Sequence, residues 1–347
     1  MKRLQWIICL LLLLTLAGCG KKPESKKETI HVYNWGEYID LGTLRQFEKE
    51  TGIHVIYDTF ASNEDLYVKL KKSGDPYDVV VPSEYMVERL IRENMLMPLD
   101  YSLIPNSKKL DKRILNMEYD PGNRYSLPLF WGTLGIVVNK KSVDTPIDSW
   151  KDLWNPRYKN EIIMYNSQRD SIAVALKMLG YSMNSHSIPE LEKAKEALIK
   201  QKPFVYAYLA DDGRDVMSQG DAALSVMYSG DAALMCRENK NLEYIIPKEG
   251  SNIWYDSLVV PKNAKNPTGA MKFINFMLRP DISAKNAEYN VGYASPIPEA
   301  ITLLPKKVRE NKTAYPDMDH LPPLEVYRDP GDLVKVYDRI WTEVTAE

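Results

Sequence analysis

The chain has 347 residues, 44% from the hydrophobic set and 27% charged, enough for about two ordinary domains, and this excludes disorder as its main state. Lys and Arg number 45 against 47 Asp and Glu, for a formal charge of -2, so no basic excess is present to grip a nucleic acid. The 4 histidines, His31, His54, His186 and His320, are widely spaced and form no zinc motif; no metal or cofactor is expected. The 22 Tyr and 7 Trp offer polar-edged aromatics suited to a ligand site or an interface as well as to a core.

At the start of the chain, Lys2 and Arg3 precede an apolar run from Trp6 to Leu14, then small residues and a cysteine, the layout of an export signal. The stretch Leu4 to Gly18 is shorter than the roughly 20 residues a membrane-spanning helix needs. Leu16-Ala17-Gly18-Cys19 resembles the lipobox of bacterial lipoproteins. That resemblance implies removal of residues 1–18, acylation of Cys19, and a polar tether over 19–27 that holds the body at the outer face of the cell membrane, in a periplasm if an outer membrane exists. An ordinary signal peptide is the alternative, and it exports the chain too. With Cys9 cut away and Cys19 carrying lipid, Cys236 has no disulfide partner.

From Thr29 to Trp35 and from Gly52 to Phe60 apolar and polar residues alternate, as in strands with one buried face. Between them Leu41, Leu44 and Phe47 repeat at helical spacing up to Gly52, a stop residue. A helix over Glu64–Lys72 leads into the apolar run Tyr77–Val81, a strand covered on both faces. Ser83 then sits as N-cap of the next helix. Further on, strands are predicted over Gly132–Asn139, Ala223–Tyr228 and Leu242–Ile246. Helices are predicted over Asp170–Leu179, Ile188–Lys200, Asp231–Glu238 and Pro267–Leu278, the last ended by Pro280. There is no internal repeat and no long Gly/Ser linker, which suggests two lobes sharing crossing strands around a cleft.

Three segments place an aromatic beside an acid near predicted strand ends: Trp35-Gly36-Glu37-Tyr38, Ser83-Glu84-Tyr85 and Trp254-Tyr255-Asp256. In α/β sheets ligands gather at the carboxyl ends of strands. Aromatic faces attract cations by roughly 0.5 to 2 kcal/mol each, and carboxylates supply charge-assisted hydrogen bonds to an ammonium. The combination suits an organic polycation with one acid per amine.

On these stretches, together with QFEKETGIHVIYDTF from Gln46, YDVVVPSEYMV from Tyr77, SLPLFWGTLGIVVNK from Ser126 and PKEGSNIWYDSLVVPKNAKN from Pro247, the chain resembles the spermidine/putrescine-binding proteins of polyamine ABC importers. The resemblance implies an α/β, two-lobed type II periplasmic-binding fold with the ligand between lobes joined by crossing strands. The expected division is 28–133 plus 256–300 for one lobe and 134–255 plus 301–347 for the other. It further implies aromatic walls from Trp35, Tyr38, Tyr85, Tyr228, Trp254 and Tyr293, amine-binding acids at Glu37, Asp170 and Asp256, and hydrogen bonds from Ser83 and Asp211.

Departures from the family pattern fall at Asn166 or Ser167, where a second acid is missing, at Tyr327 in place of a Gln, at Tyr228 where Trp is more usual, and at Gly36 in place of a hydroxyl residue. Three acids match three amines, which favours spermidine over putrescine. The implied partners are the polyamine, the permease subunits of an ABC transporter and the membrane through the lipid, with the protein itself a monomer. The alternatives are a same-fold binding protein or sensor for another organic cation, and an exported hydrolase. No GxSxG, Walker A or GxGxxG motif is present, and Cys236, in an apolar helical run with no neighbouring histidine, reads as a buried structural thiol. The chain is expected not to be an enzyme.

Overall fold

A computed structural model describes residues 27–72, 76–210 and 212–346. The signal segment, Cys19 and Asp211 lie outside the described residues. Among the described residues ten strands form: β1 (Thr29–Trp35), β2 (His54–Phe60), β3 (Val79–Val80), β4 (Ser126–Asn139), β5 (Ile162–Tyr165), β6 (Val205–Leu209), β7 (Leu224–Tyr228), β8 (Leu242–Ile245), β9 (Ser251–Val259) and β10 (Leu324–Glu325). They pair in the order β2-β1-β3-β9-β4-β7-β5-β6, with β8 on β4 and β10 on β9. The opening is the βαβαβ unit read from the sequence: β1 lies parallel to both β2 and β3. Gly52 ends the intervening helix in the left-handed region at φ 76°, which costs a glycine nothing.

β4 joins the two lobes. Its first half, Ser126 to Thr133, runs antiparallel to β9 in the first sheet. Its second half, Leu134 to Asn139, lies between β7 and β8 in the other. All 14 residues of β4 and all 9 of β9 are buried, as expected of strands covered on both faces. Such strands show no alternation, so only the second half of β4 was legible, and Trp254-Tyr255-Asp256 proves to lie inside a crossing strand rather than at a strand end.

Each lobe has its own core. Ile30, Phe47, Phe273 and Ile274 anchor one cluster; Trp150, Tyr158, Ile172 and Ile340 anchor the other. Leu304 and Val308 pack into the first of these, so the expected division after residue 300 falls too early. The chain re-enters the second lobe at the β10 crossing, where Tyr327, Tyr337, Ile340 and Val344 join its core. Pro280 does not merely end a helix: the preceding one stops at Met277, and Pro280 opens another, Pro280–Tyr289, a position that tolerates its missing N–H.

Candidate ligand site

Asp256 sits on β9, on the same face as Trp254, and is only 6% exposed. Ser83 donates its hydroxyl to Oδ1 at 2.6 Å, and the Tyr38 hydroxyl donates to Oδ2. Ser83 is indeed the N-cap residue of the helix Glu84–Arg92, yet its side chain makes no capping bond; its hydroxyl is turned onto Asp256 instead. Burial pushes the Asp256 carboxyl up to about 6 against the lowering pull of its two hydroxyl donors.

The second buried acid is Asp170, 4% exposed, in the first turn of the helix Gln168–Met178. Its backbone N–H donates to the capping Ser167 hydroxyl at 3.3 Å. Tyr228 and Tyr327 both donate to its Oδ1, at 2.8 and 3.1 Å. Burial raises its carboxyl above the usual range, while Ser167, the two phenols and nearby Arg169 work the other way. The positive end of the helix favours its anionic form as well.

Aromatic rings connect the two acids. Tyr38 meets Tyr293 with centroids 5.3 Å apart, Tyr293 meets Trp254 at 5.4 Å, and Trp254 meets Tyr228 at 6.2 Å. The file thus runs from the hydroxyl partner of Asp256 to the hydroxyl partner of Asp170. Tyr228 packs against both lobes' cores. Gly132 makes room for the Trp254 ring, since a Cβ there would lie 2.5 Å from Cζ2.

The remaining expected residues are less tightly grouped. Trp35 packs on Phe60 at 4.5 Å, and its buried indole N–H has no hydrogen-bond partner among the described residues. Glu37 stands exposed on the turn after β1, with φ 49°, and makes no hydrogen bond to the two buried acids. Tyr85 accepts from Asn63 at 3.0 Å and donates to Glu64 at 3.3 Å, while its ring touches cores of both lobes. Cys236 is partly buried, and burial pushes its thiol up to about 11, leaving it protonated near neutral pH.

Two further residues are not among the site residues expected from the sequence. Glu84, 1% exposed, accepts from the Tyr255 N–H at 3.0 Å; burial, with neighbouring Asp256, pushes its carboxyl up to about 8. Its place beside Ser83 was the available signal, but an acid at the first turn of a helix ordinarily faces water. Tyr327 was read as a departure from a family pattern; nothing local in LEVYRDP marks it as a partner of Asp170.

The family model for bacterial extracellular solute-binding proteins matches residues 43–316. The spermidine/putrescine-binding periplasmic protein of Salmonella typhimurium is 40% identical over 331 residues, covering 95% of each chain. Among solved structures, the spermidine/putrescine ABC transporter substrate-binding protein PotD of Streptococcus pneumoniae superposes with a TM-score of 0.81 at 42% identity, over 91% of this chain and 98% of its own. The TpPotD lipoprotein of Treponema pallidum gives 0.81 at 26% identity, over 91% and 99%.

Proposed function

The chain belongs to the bacterial extracellular solute-binding proteins, and from that premise we propose that it captures a polyamine between its lobes and delivers it to an ABC importer. The observation that carries this reading is the pair of buried, hydroxyl-supported carboxylates, Asp256 and Asp170, linked by aromatic rings. An unpaired buried carboxylate is costly, and an ammonium arriving with its own hydrogen-bond donors offsets that cost. Rings between the acids suit the methylene chain of the ligand and the cation at either end.

Capture follows from the two-lobed arrangement. Asp256 is held by groups of the first lobe, Ser83 and Tyr38; Asp170 belongs to the second. A diamine that engages both stabilises the closed arrangement, because only there are both sets of contacts made at once. Closure then presents both lobes to a permease. Glu37, at the exposed lip, is assigned the outermost amine of a longer ligand, and Trp35, Tyr85 and Tyr293 are assigned to the walls.

Anchoring through a lipidated Cys19 is part of the same reading. It draws on the Leu-Ala-Gly-Cys tetrapeptide and on a relative described as a lipoprotein. Among the described residues no helix is long and apolar enough to cross a membrane.

The test is a fluorescence titration with putrescine and spermidine, reading the tryptophans. Wild type is expected to saturate and Asp256→Ala to lose binding; equal binding by both would sink the assignment of Asp256.

A further inference from the structure

Asp170 has a cation as its immediate chain neighbour. Arg169 would be expected to neutralise it, yet the two form no ion pair. The Arg169 guanidinium instead lies over the Tyr327 ring, 4.4 Å from its centroid. It donates to the Tyr337 hydroxyl at 2.8 Å, to Asn184 Oδ1, and to the backbone carbonyl of Arg328 at 3.4 Å. Tyr327, 3% exposed, meanwhile donates its hydroxyl to Asp170. One side chain therefore stacks on the cation and hydrogen-bonds the anion.

From this geometry we infer that Tyr327 is a positioning residue for ligand capture: it parks Arg169 on its ring and so keeps Asp170 free to pair with an ammonium. The inference rests on the reading of Asp170 as an amine-binding acid and deepens it by assigning the group that preserves its charge for the ligand. Arg169 and Asp170 are consecutive in the helix Gln168–Met178, so their side chains diverge around the axis. A long, flexible arginine can still fold back toward a desolvated carboxylate when nothing else holds it. With the ring gone, the guanidinium loses its stacking surface while Asp170 loses one of two phenol donors, and each change favours pairing of the two neighbours. Arg169 would then compete with the ligand from inside the protein.

The test is equilibrium binding of putrescine to wild type and four variants, each checked by thermal melting. Tyr327→Phe keeps the ring and is expected to stay within about threefold of wild type, the size of one lost neutral hydrogen bond. Tyr327→Leu removes ring and hydroxyl and is expected to weaken binding about tenfold or more, the scale of one charge pair rearranged in a partly desolvated site. Arg169→Met alone is expected to weaken binding by no more than about threefold, since the parked cation makes no contact with the ligand and its loss removes only one of several pulls that keep the Asp170 carboxyl ionised. Arg169→Met added to Tyr327→Leu is expected to recover most of the loss, which a purely structural role for Tyr327 would not permit. Should Tyr327→Leu not fold, Tyr327→Met, unbranched and able to fill the gap, takes its place in the same pair of measurements. Wild-type affinity in Tyr327→Leu, or a folded double variant as weak as Tyr327→Leu, would overturn the inference alone. Absence of putrescine binding in wild type would overturn it together with the reading of the site.

Discussion

Ser83 and Asp256, separated by 173 positions in the chain, are joined by a 2.6 Å hydrogen bond. The bond ties the start of the helix Glu84–Arg92 to β9, a strand paired with the lobe-joining β4. Removing the Asp256 charge should be the most damaging change in the site. Asp256→Asn keeps the shape and is expected to weaken putrescine binding by about a hundredfold or more, the cost of stripping one partner from a buried charge pair. Ser83→Ala should cost far less, about three- to tenfold, since Tyr38 still supports the other oxygen. Isothermal titration of both variants checks the ranking; a larger loss in Ser83→Ala than in Asp256→Asn would contradict it.

Affinity should depend on acidity in a defined direction. In the free protein the Asp256 carboxyl is pushed up to about 6, so below that pH it takes a proton, and the proton competes with the ammonium. Binding is expected to weaken about tenfold per pH unit below about 6 and to change little just above, while the amines stay charged throughout. Titrations in buffers of different ionisation heat at pH 6 should also register proton release on binding. Affinity independent of pH between 5 and 7 would contradict the placement of the ligand on Asp256.

Glu84 predicts a stability effect separate from binding. Its carboxyl ionises near 4.5 in the unfolded chain and is pushed up to about 8 in the fold. A raised acid favours the folded state while neutral, so stability is fully present below about 4.5 and is lost as pH rises toward about 8. Glu84→Gln retains an acceptor for the Tyr255 N–H and carries no charge. Its melting temperature should exceed that of wild type by about 5 °C or more at pH 8, with the gap closing at pH 5. A constant gap at both pH values would contradict the account.

The exposed position of Glu37 leads to a ligand-dependent prediction. Exposed on the turn after β1, it is proposed to meet only an amine that extends beyond the two buried acids. Glu37→Gln is expected to weaken spermidine binding by about three- to tenfold and to leave putrescine within about twofold, the modest worth of a solvent-exposed ion pair. Parallel titrations with the two ligands separate the outcomes; an equal loss for both would place Glu37 inside the diamine site instead.

Much of this architecture was legible in the sequence, for identifiable reasons. The alternation in β1 and the Leu41, Leu44, Phe47 spacing record one buried face each, and periodicity finds such elements. The helix Pro280–Tyr289 was missed because Pro280 marks a start as readily as a stop. β9 was missed as a strand because burial on both faces erases its alternation. In the candidate site, the aromatic-acid doublets flagged Tyr38, Trp254 and Asp256, which the fold groups through short contacts. The partnership of Tyr327 with Asp170 spans 157 positions, and no local pattern encodes a contact set by the return of the chain to the second lobe.

The measurement that bears most directly on the central claim is a calorimetric titration of the purified protein, freed of carried-over ligand, with putrescine, spermidine and a monoamine of matched length at pH 7.5. Saturable one-to-one binding of the polyamines is expected, with a loss of about a hundredfold or more for the monoamine, which leaves one buried carboxylate unpaired. Equal affinity for the monoamine, or no heat with any polyamine from a folded sample, would contradict the claim.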